Sequence, residues 1–218
     1  MTGVKGPRGP SATAHPLDRH LSGLAGVQHS LLTIEQLHDA GLCNSTISKR
    51  VKRGVLHREY RGVYSLAQPL SREARLMACV LAAGPGAFLS HLTAAERHGL
   101  LRYLAHRIDV IAPRARTLPF HVHTYRRLHP LDVTERDGIP VTSVARTLVD
   151  LTDLLDAGEI ANLIHEAAFR GSFSALATRD AMARAHGRRK LHVLEAALNA
   201  HEHGSAGTRA ATSATSSG

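Results

Sequence analysis

Between Thr33 and Ser65 the hydrophobic period switches from helical to alternating, and glycines punctuate the switch, so few arrangements are open to this stretch. Thr33 with Gln36 three residues on is a capping box, which starts a helix. That helix is expected to end at Gly41, because glycine readily takes the left-handed conformation that closes a helix. A second helix is expected over residues 44–53, stopped by Gly54. Ile34, Leu37, Leu42, Ile47 and Val51 supply the apolar faces by which two short helices pack at a steep angle. Residues 55–58 and 62–65 then read as two short strands joined by a turn. Helix, glycine turn, helix and two-stranded wing is the order of a winged helix-turn-helix.

In such a motif the second helix enters the major groove with its N-terminal residues at base edges. Here those residues are Asn44, Ser45, Thr46, Ser48 and Lys49, all short or polar hydrogen-bonding groups. Ser45, Ser48, Lys49 and Lys52 share one helix face while Ile47 and Val51 point the other way, apolar inward and hydrogen-bonding outward. Arg50, Lys52, Arg53, Arg58 and Arg61 are expected on phosphates or, from the wing, in the adjacent minor groove. Residues 44–64 hold six basic side chains against one acid, Glu59. A basic run can also be a plain solvated helix face; its conjunction with a capped helix, a glycine turn and a hairpin favours duplex DNA. Single-strand binding by base stacking has little material, with aromatics at 4% and no Trp.

The whole chain of 218 residues carries a formal charge of +9. Twelve Lys and Arg face six Asp and Glu in residues 1–100, and fifteen face twelve in the remainder, so the excess sits where the motif does. No apolar run approaches the roughly 20 residues of a membrane span. The first residues lack the apolar stretch of a secretory signal. Cys43 and Cys79 form neither a disulfide framework nor a metal-ligand spacing. A cytoplasmic location with reduced thiols is expected, without membrane association.

Residues 1–16, rich in Gly and Pro, are expected to be disordered, and 17–68 to form the DNA-binding domain, opened by a helix over 17–29. Residues 69–203 should form a mixed α/β domain with a small sheet and C-terminal helices. Its expected elements are a helix over 71–83, a helix capped by Ser90 and ending at Gly99, and strands over 107–112, 118–125 and 133–141. Helices capped by Thr142 or Ser143 through 155, and over 159–169, 178–186 and 190–201, follow. Residues 204–218, almost all Gly, Ser, Ala and Thr, are expected to be a disordered tail. The fold class is therefore α+β.

No catalytic residue, metal site or cofactor is expected. His121-X-His123 places two imidazoles on one strand face, with His129 shortly after, but no carboxylate or Cys has suitable spacing nearby, which favours surface histidines. Gly171-Ser172 followed by Asp180 resembles the nucleotidyltransferase pattern, yet Met182 stands where its second metal-binding acid belongs. Arg146 and Asp150, at i and i+4, read as a helix-stabilising pair of a few tenths of a kcal/mol. Arg114, Arg116, Arg126 and Arg127 form a second basic group that either extends a DNA footprint or is merely solvated.

Several motifs together carry a family resemblance. They are Leu31-Leu32-Thr33-Ile34-Glu35-Gln36-Leu37, Gly41-Leu42, Ile47-Ser48-Lys49-Arg50-Val51 and Gly54-Val55-Leu56-His57-Arg58 through Gly62-Val63-Tyr64. Leu81-Ala82-Ala83-Gly84-Pro85-Gly86-Ala87, Ser90-His91, Gly138-Ile139-Pro140-Val141-Thr142-Ser143 and Arg146-Thr147-Leu148-Val149-Asp150 continue it. Over roughly residues 20–200 the chain resembles AbiEi-like antitoxins of type IV toxin–antitoxin systems. The resemblance implies a DNA-binding repressor of its own operon that opposes a nucleotidyltransferase toxin, with homo-oligomerisation open. Longer relatives carry a nuclease-like domain that starts near a Gly-Thr-Arg stretch; here Gly207-Thr208-Arg209 runs into Ala, Ser and Thr, so the chain reads as truncated there. Two alternatives stay open: the targeting half of a nuclease whose catalytic domain is missing, and a protein-interaction module that neutralises a toxin directly.

Overall fold

A computed structural model describes residues 16–101, 107–185, 188 and 190–214, with side chains from residue 17 to residue 203. The fold is mixed α+β, with two small sheets among the described residues and helices toward the C-terminus. The chain divides into two compact units, Met1–Ala74 and Arg75–Gly218.

The first unit runs α1 (Pro16–Gly26), β1 (Leu31–Thr33), α2 (Ile34–Asp39), α3 (Asn44–Lys52), β2 (His57–Tyr60) and β3 (Val63–Ser65). The capping box at Thr33 forms: its N–H donates to Gln36 Oε1 at 2.8 Å, and the Gln36 N–H donates to Thr33 Oγ1 at 3.3 Å. Gly41 closes α2 at φ +87° and Gly54 closes α3 at φ +70°, conformations that cost a β-carbon steric strain. Leu21, Ala25, Leu32, Leu37, Leu42, Ile47, Leu56 and Tyr64 form the core of this unit.

Two expectations need correction here. Leu31 and Leu32 do not merely lead into α2; they form β1, which pairs antiparallel with β3 in a sheet of order β1-β3-β2. Both leucines are buried, so β1 lacks the alternation that marks a strand in sequence. The strand expected at Val55 starts only at His57, because the N–H groups of Val55 and Leu56 donate to Arg50 O and close α3. Those donors are thereby taken from the sheet.

In the second unit α4 (Arg72–Ala83, its first turn falling in the first unit) precedes β4 (Phe88–Leu89), α5 (His91–Arg97), β5 (Asp109–Ala112) and β6 (His121–Thr124). A 3-10 turn at Pro130–Asp132 then leads to β7 (Val133–Arg136) and β8 (Ile139–Thr142). These strands form one sheet in the order β6-β5-β4-β8-β7, with β5–β6 and β4–β8 parallel and the other pairs antiparallel. The single strand expected over 133–141 is a hairpin. Asp137 and Gly138 both take positive φ, and Arg136 faces Ile139, which is the mirror-image two-residue turn that Asp-Gly favours.

Helices α6 (Val144–Leu151), α7 (Ala157–Phe169), α8 (Ala175–Arg184) and α9 (Leu191–Ala214) complete the unit around Leu148, Leu151, Ile160, Ile164, Leu194 and Leu198. The helix expected to reach 155 ends at Leu151, and Asp156 with Glu159 forms a second capping box that starts α7. Helix α9 continues to Ala214, through residues expected to be without structure. Ala206, Ala210, Ala211 and Ala214 lie in that extension, and alanine has the highest intrinsic helix propensity. Of residues 1–16, only Pro16 lies inside the described chain, at the start of α1.

Candidate functional site

Helix α3 divides as its period demands. Ile47 is buried and Val51 half-buried, while Asn44, Ser45, Ser48, Lys49 and Lys52 are exposed and Thr46 is intermediate. Arg53, the C-cap of α3, is exposed, as are Arg58 on β2 and Arg61 in the β2–β3 turn. Glu59, the one acid of the stretch, accepts hydrogen bonds from Ser65 Oγ and Gln68 Nε2.

Arg50 departs from the expected set. Its Nη1 lies 2.8 Å from Asp18 Oδ1 on α1, and its side chain is only 22% exposed. Position 50 lies one turn beyond the buried Ile47, on the flank that meets α1, so its guanidinium ties α1 to α3. Some first-turn groups are also engaged: Asn44 Oδ1 with His38 Nε2 at 2.9 Å, and the Ser45 and Thr46 hydroxyls with Cys43 Sγ at 3.1 and 3.3 Å. Those two hydroxyls, Ser45 first, hold the exposed Cys43 thiol down at about 6.

The second unit brings together a histidine cluster that sequence spacing hides. Asp109 on β5 stands opposite His121 on β6, and Ile111 opposite His123, so with period two along each strand Asp109, His121 and His123 share one face. Asp109 Oδ1 lies 3.0 Å from His123 Nε2 and 3.3 Å from His121 Nδ1. The carboxylate that local spacing does not supply therefore arrives from the neighbouring strand. His129 does not join; its Nδ1 accepts from the Leu131 N–H and caps the 3-10 turn. Burial raises the Asp109 carboxyl, but the hydrogen bond from His123 and the nearby imidazoles outweigh it and hold the group below its ordinary value. His91, the first residue of α5, stacks on His123 with ring centroids 3.7 Å apart and takes φ +50°. Burial, then the charge of His123, pushes its imidazole down to about 3.

Arg146 and Asp150 are not the exposed helix pair their spacing suggests. Asp150 is fully buried, and its Oδ1 accepts from Arg146 Nε at 2.9 Å and pairs with Arg188 Nη2 at 2.8 Å. Arg146 also reaches Asp132, which pairs in turn with Arg184 at 2.6 Å. The pair belongs to a five-residue network in which Asp132, Arg146 and Asp150 are buried and Arg184 and Arg188 half-buried, so its energetic scale is nearer that of buried charges. Arg114, Arg116, Arg126 and Arg127 are exposed, and Arg116 Nη1 reaches Ala82 O at 3.5 Å. Ser172 and Asp180 line one cleft of about 420 Å³, together with His98 and Arg184.

No family model matches the chain, and no curated protein does. Among solved structures it is similar to the RV2827C protein from Mycobacterium tuberculosis, with a TM-score of 0.52 and 17% identity, over 82% of this chain and 76% of that one. The likeness is one of fold. Among the described residues no helix is long and apolar enough to cross a membrane.

His98 gives the second unit a pH dependence. Its Nε2 lies 2.7 Å from Thr142 O, so the ring donates to a carbonyl, and burial holds its pKa below the ordinary value of 6.5. A depressed folded value means that this contribution to stability is complete above about pH 6.5 and is lost as pH falls through the folded pKa, with a slope of at most about 1.4 kcal/mol per pH unit. Thermal unfolding between pH 7 and 5 is expected to show a steeper loss for the wild type than for His98→Gln. Equal slopes would remove His98 as the cause.

Proposed function

We propose that the first unit is a winged helix-turn-helix that binds double-stranded DNA sequence-specifically, with α3 as its reading helix and β2–β3 as its wing. The observation that carries this is the outer face of α3, where Ser45, Ser48, Lys49 and Lys52 are exposed, with Arg53, Arg58 and Arg61 exposed as well. The order of elements, α2, glycine turn, α3 and hairpin, supports it too. Lys and Arg there neutralise phosphates, while Ser48 and Lys49 approach base edges. We further propose that the chain is a transcriptional repressor serving as the antitoxin of a type IV toxin–antitoxin system, opposing a nucleotidyltransferase, on the strength of the AbiEi-like motifs. Its role is then binding, without catalysis.

Selection of bound fragments from random duplex DNA supplies the test sequence. On it, Lys52→Ala is expected to weaken binding to all duplexes alike, whereas Ser48→Ala or Lys49→Ala shifts base preference, each lost base contact being worth about 1–3 kcal/mol. A Lys49→Ala, Lys52→Ala double variant that binds the selected site as tightly as the wild type would show that another surface holds the DNA.

A further inference from the structure

We propose that Asp109, His121 and His123 form a binding site for a divalent transition-metal ion of the zinc class, bridging the edge strand β6 to β5. The inference is independent of the DNA-binding role. Its first support is spacing. Ligands bound to zinc at 2.0–2.2 Å in a tetrahedron stand about 3.3–3.6 Å from one another. Asp109 Oδ1 is already 3.0 Å from His123 Nε2 and 3.3 Å from His121 Nδ1, and the three ligand atoms all lie within 4.8 Å of one another. A bound ion would draw the two imidazoles together by side-chain rotation.

The second support is chemistry. Two imidazole nitrogens with one carboxylate oxygen suit zinc and its neighbours, whereas calcium and magnesium prefer all-oxygen shells. Three protein ligands leave a fourth position for water, the pattern of an open zinc site.

The third support is the way the site is held. Asp109 is buried on β5, while the His121 side chain is 53% exposed and gives an ion a path from solvent. His91 stacks on one face of the His123 ring. His91 holds a left-handed backbone that a residue with a β-carbon adopts at a cost, and such strained positions cluster at functional sites. Among the described residues strand β6 lies at the end of the sheet and pairs with β5 alone, so a metal held by both strands would staple the edge in place.

The test uses the full chain without an affinity tag, titrated calorimetrically with Zn²⁺ and, separately, Co²⁺. One equivalent is expected to bind the wild type. His121→Gln and His123→Gln should each weaken that event at least about 100-fold, since even outer-shell partners of metal ligands are worth 10–100-fold. His121 is exposed, so His121→Gln keeps the fold, and circular dichroism of the metal-free variant checks this. Zn²⁺ should raise the unfolding temperature of the wild type and leave that of His121→Gln unchanged. The exposed Glu202 neighbours His201 and His203, and the variant His201→Gln, His203→Gln serves as the control for surface binding. Loss of the event in that control but not in His121→Gln would overturn the proposal. So would the absence of a stoichiometric event in the wild type, which would reduce the cluster to a hydrogen-bonded Asp–His pair.

Discussion

Affinity for the selected duplex is expected to fall about 150-fold when salt is raised from about 50 to 200 mM, corresponding to a slope of log K against log salt near −3.6. The count behind that figure is structural. Lys52, Arg53, Arg58 and Arg61 are the exposed cations of α3 and its hairpin assigned to phosphates, and each phosphate neutralised contributes about −0.9 to the slope. Arg50 is left out because Asp18 already holds it, so Arg50→Ala should leave the slope unchanged. Counting it would predict a slope near −4.5. Lys49→Ala with Lys52→Ala should bring the slope to near −2.7. Affinity indifferent to salt over this range would rule out phosphate contacts as the source of binding.

Asp150→Ala is expected to destabilise the second unit by about 3–5 kcal/mol, because it leaves the buried Arg146 and the half-buried Arg188 without the carboxylate they share. Burial raises the Asp150 carboxyl above its ordinary value even against the pull of Arg146 and then Arg188, a sign of how completely the group is removed from water. Arg188 keeps Asp153 at 3.4 Å and the Val149 carbonyl at 3.0 Å, and Arg146 keeps only a 3.5 Å approach to Asp132. Calorimetry should register the change as a fall in unfolding temperature on the order of 10–20 °C. Replacing partners together, as in Arg146→Met with Asp150→Leu, should recover much of the loss, since a buried ion pair contributes little beyond an apolar pair of the same volume. A change below about 1 kcal/mol in Asp150→Ala would return the pair to the class of exposed salt bridges. The half-exposed Arg50–Asp18 pair belongs to that class, and Arg50→Ala should cost less than about 1 kcal/mol.

Much of the first unit is legible in its sequence. Thr33 and Gln36, Gly41, Gly54 and the inward pair Ile47 and Val51 act within one or two helical turns, and each takes the expected place. Helix α6 likewise starts at Ser143, whose hydroxyl accepts from the Arg146 N–H. Strands β1 and β4 are two or three residues long and almost wholly buried, so they carry no alternation to read. The β7–β8 hairpin had a usable signal in Asp137-Gly138, and the unbroken run of β-compatible residues on both sides masks it.

The sequence alone determined where helices begin and end around α3 and which of its faces is wet, because capping, turn chemistry and periodicity are local forces. Which polar groups meet was decided only by the tertiary structure. The parallel register of β5 and β6 carries Asp109 across to His121 and His123. Helix α1 brings Asp18 to Arg50, and Arg184 and Arg188, beyond α7, close the network around Asp132 and Asp150. These partners lie from a dozen to some fifty residues apart, and no local spacing encodes them; packing of the apolar faces decides which charges share a desolvated site.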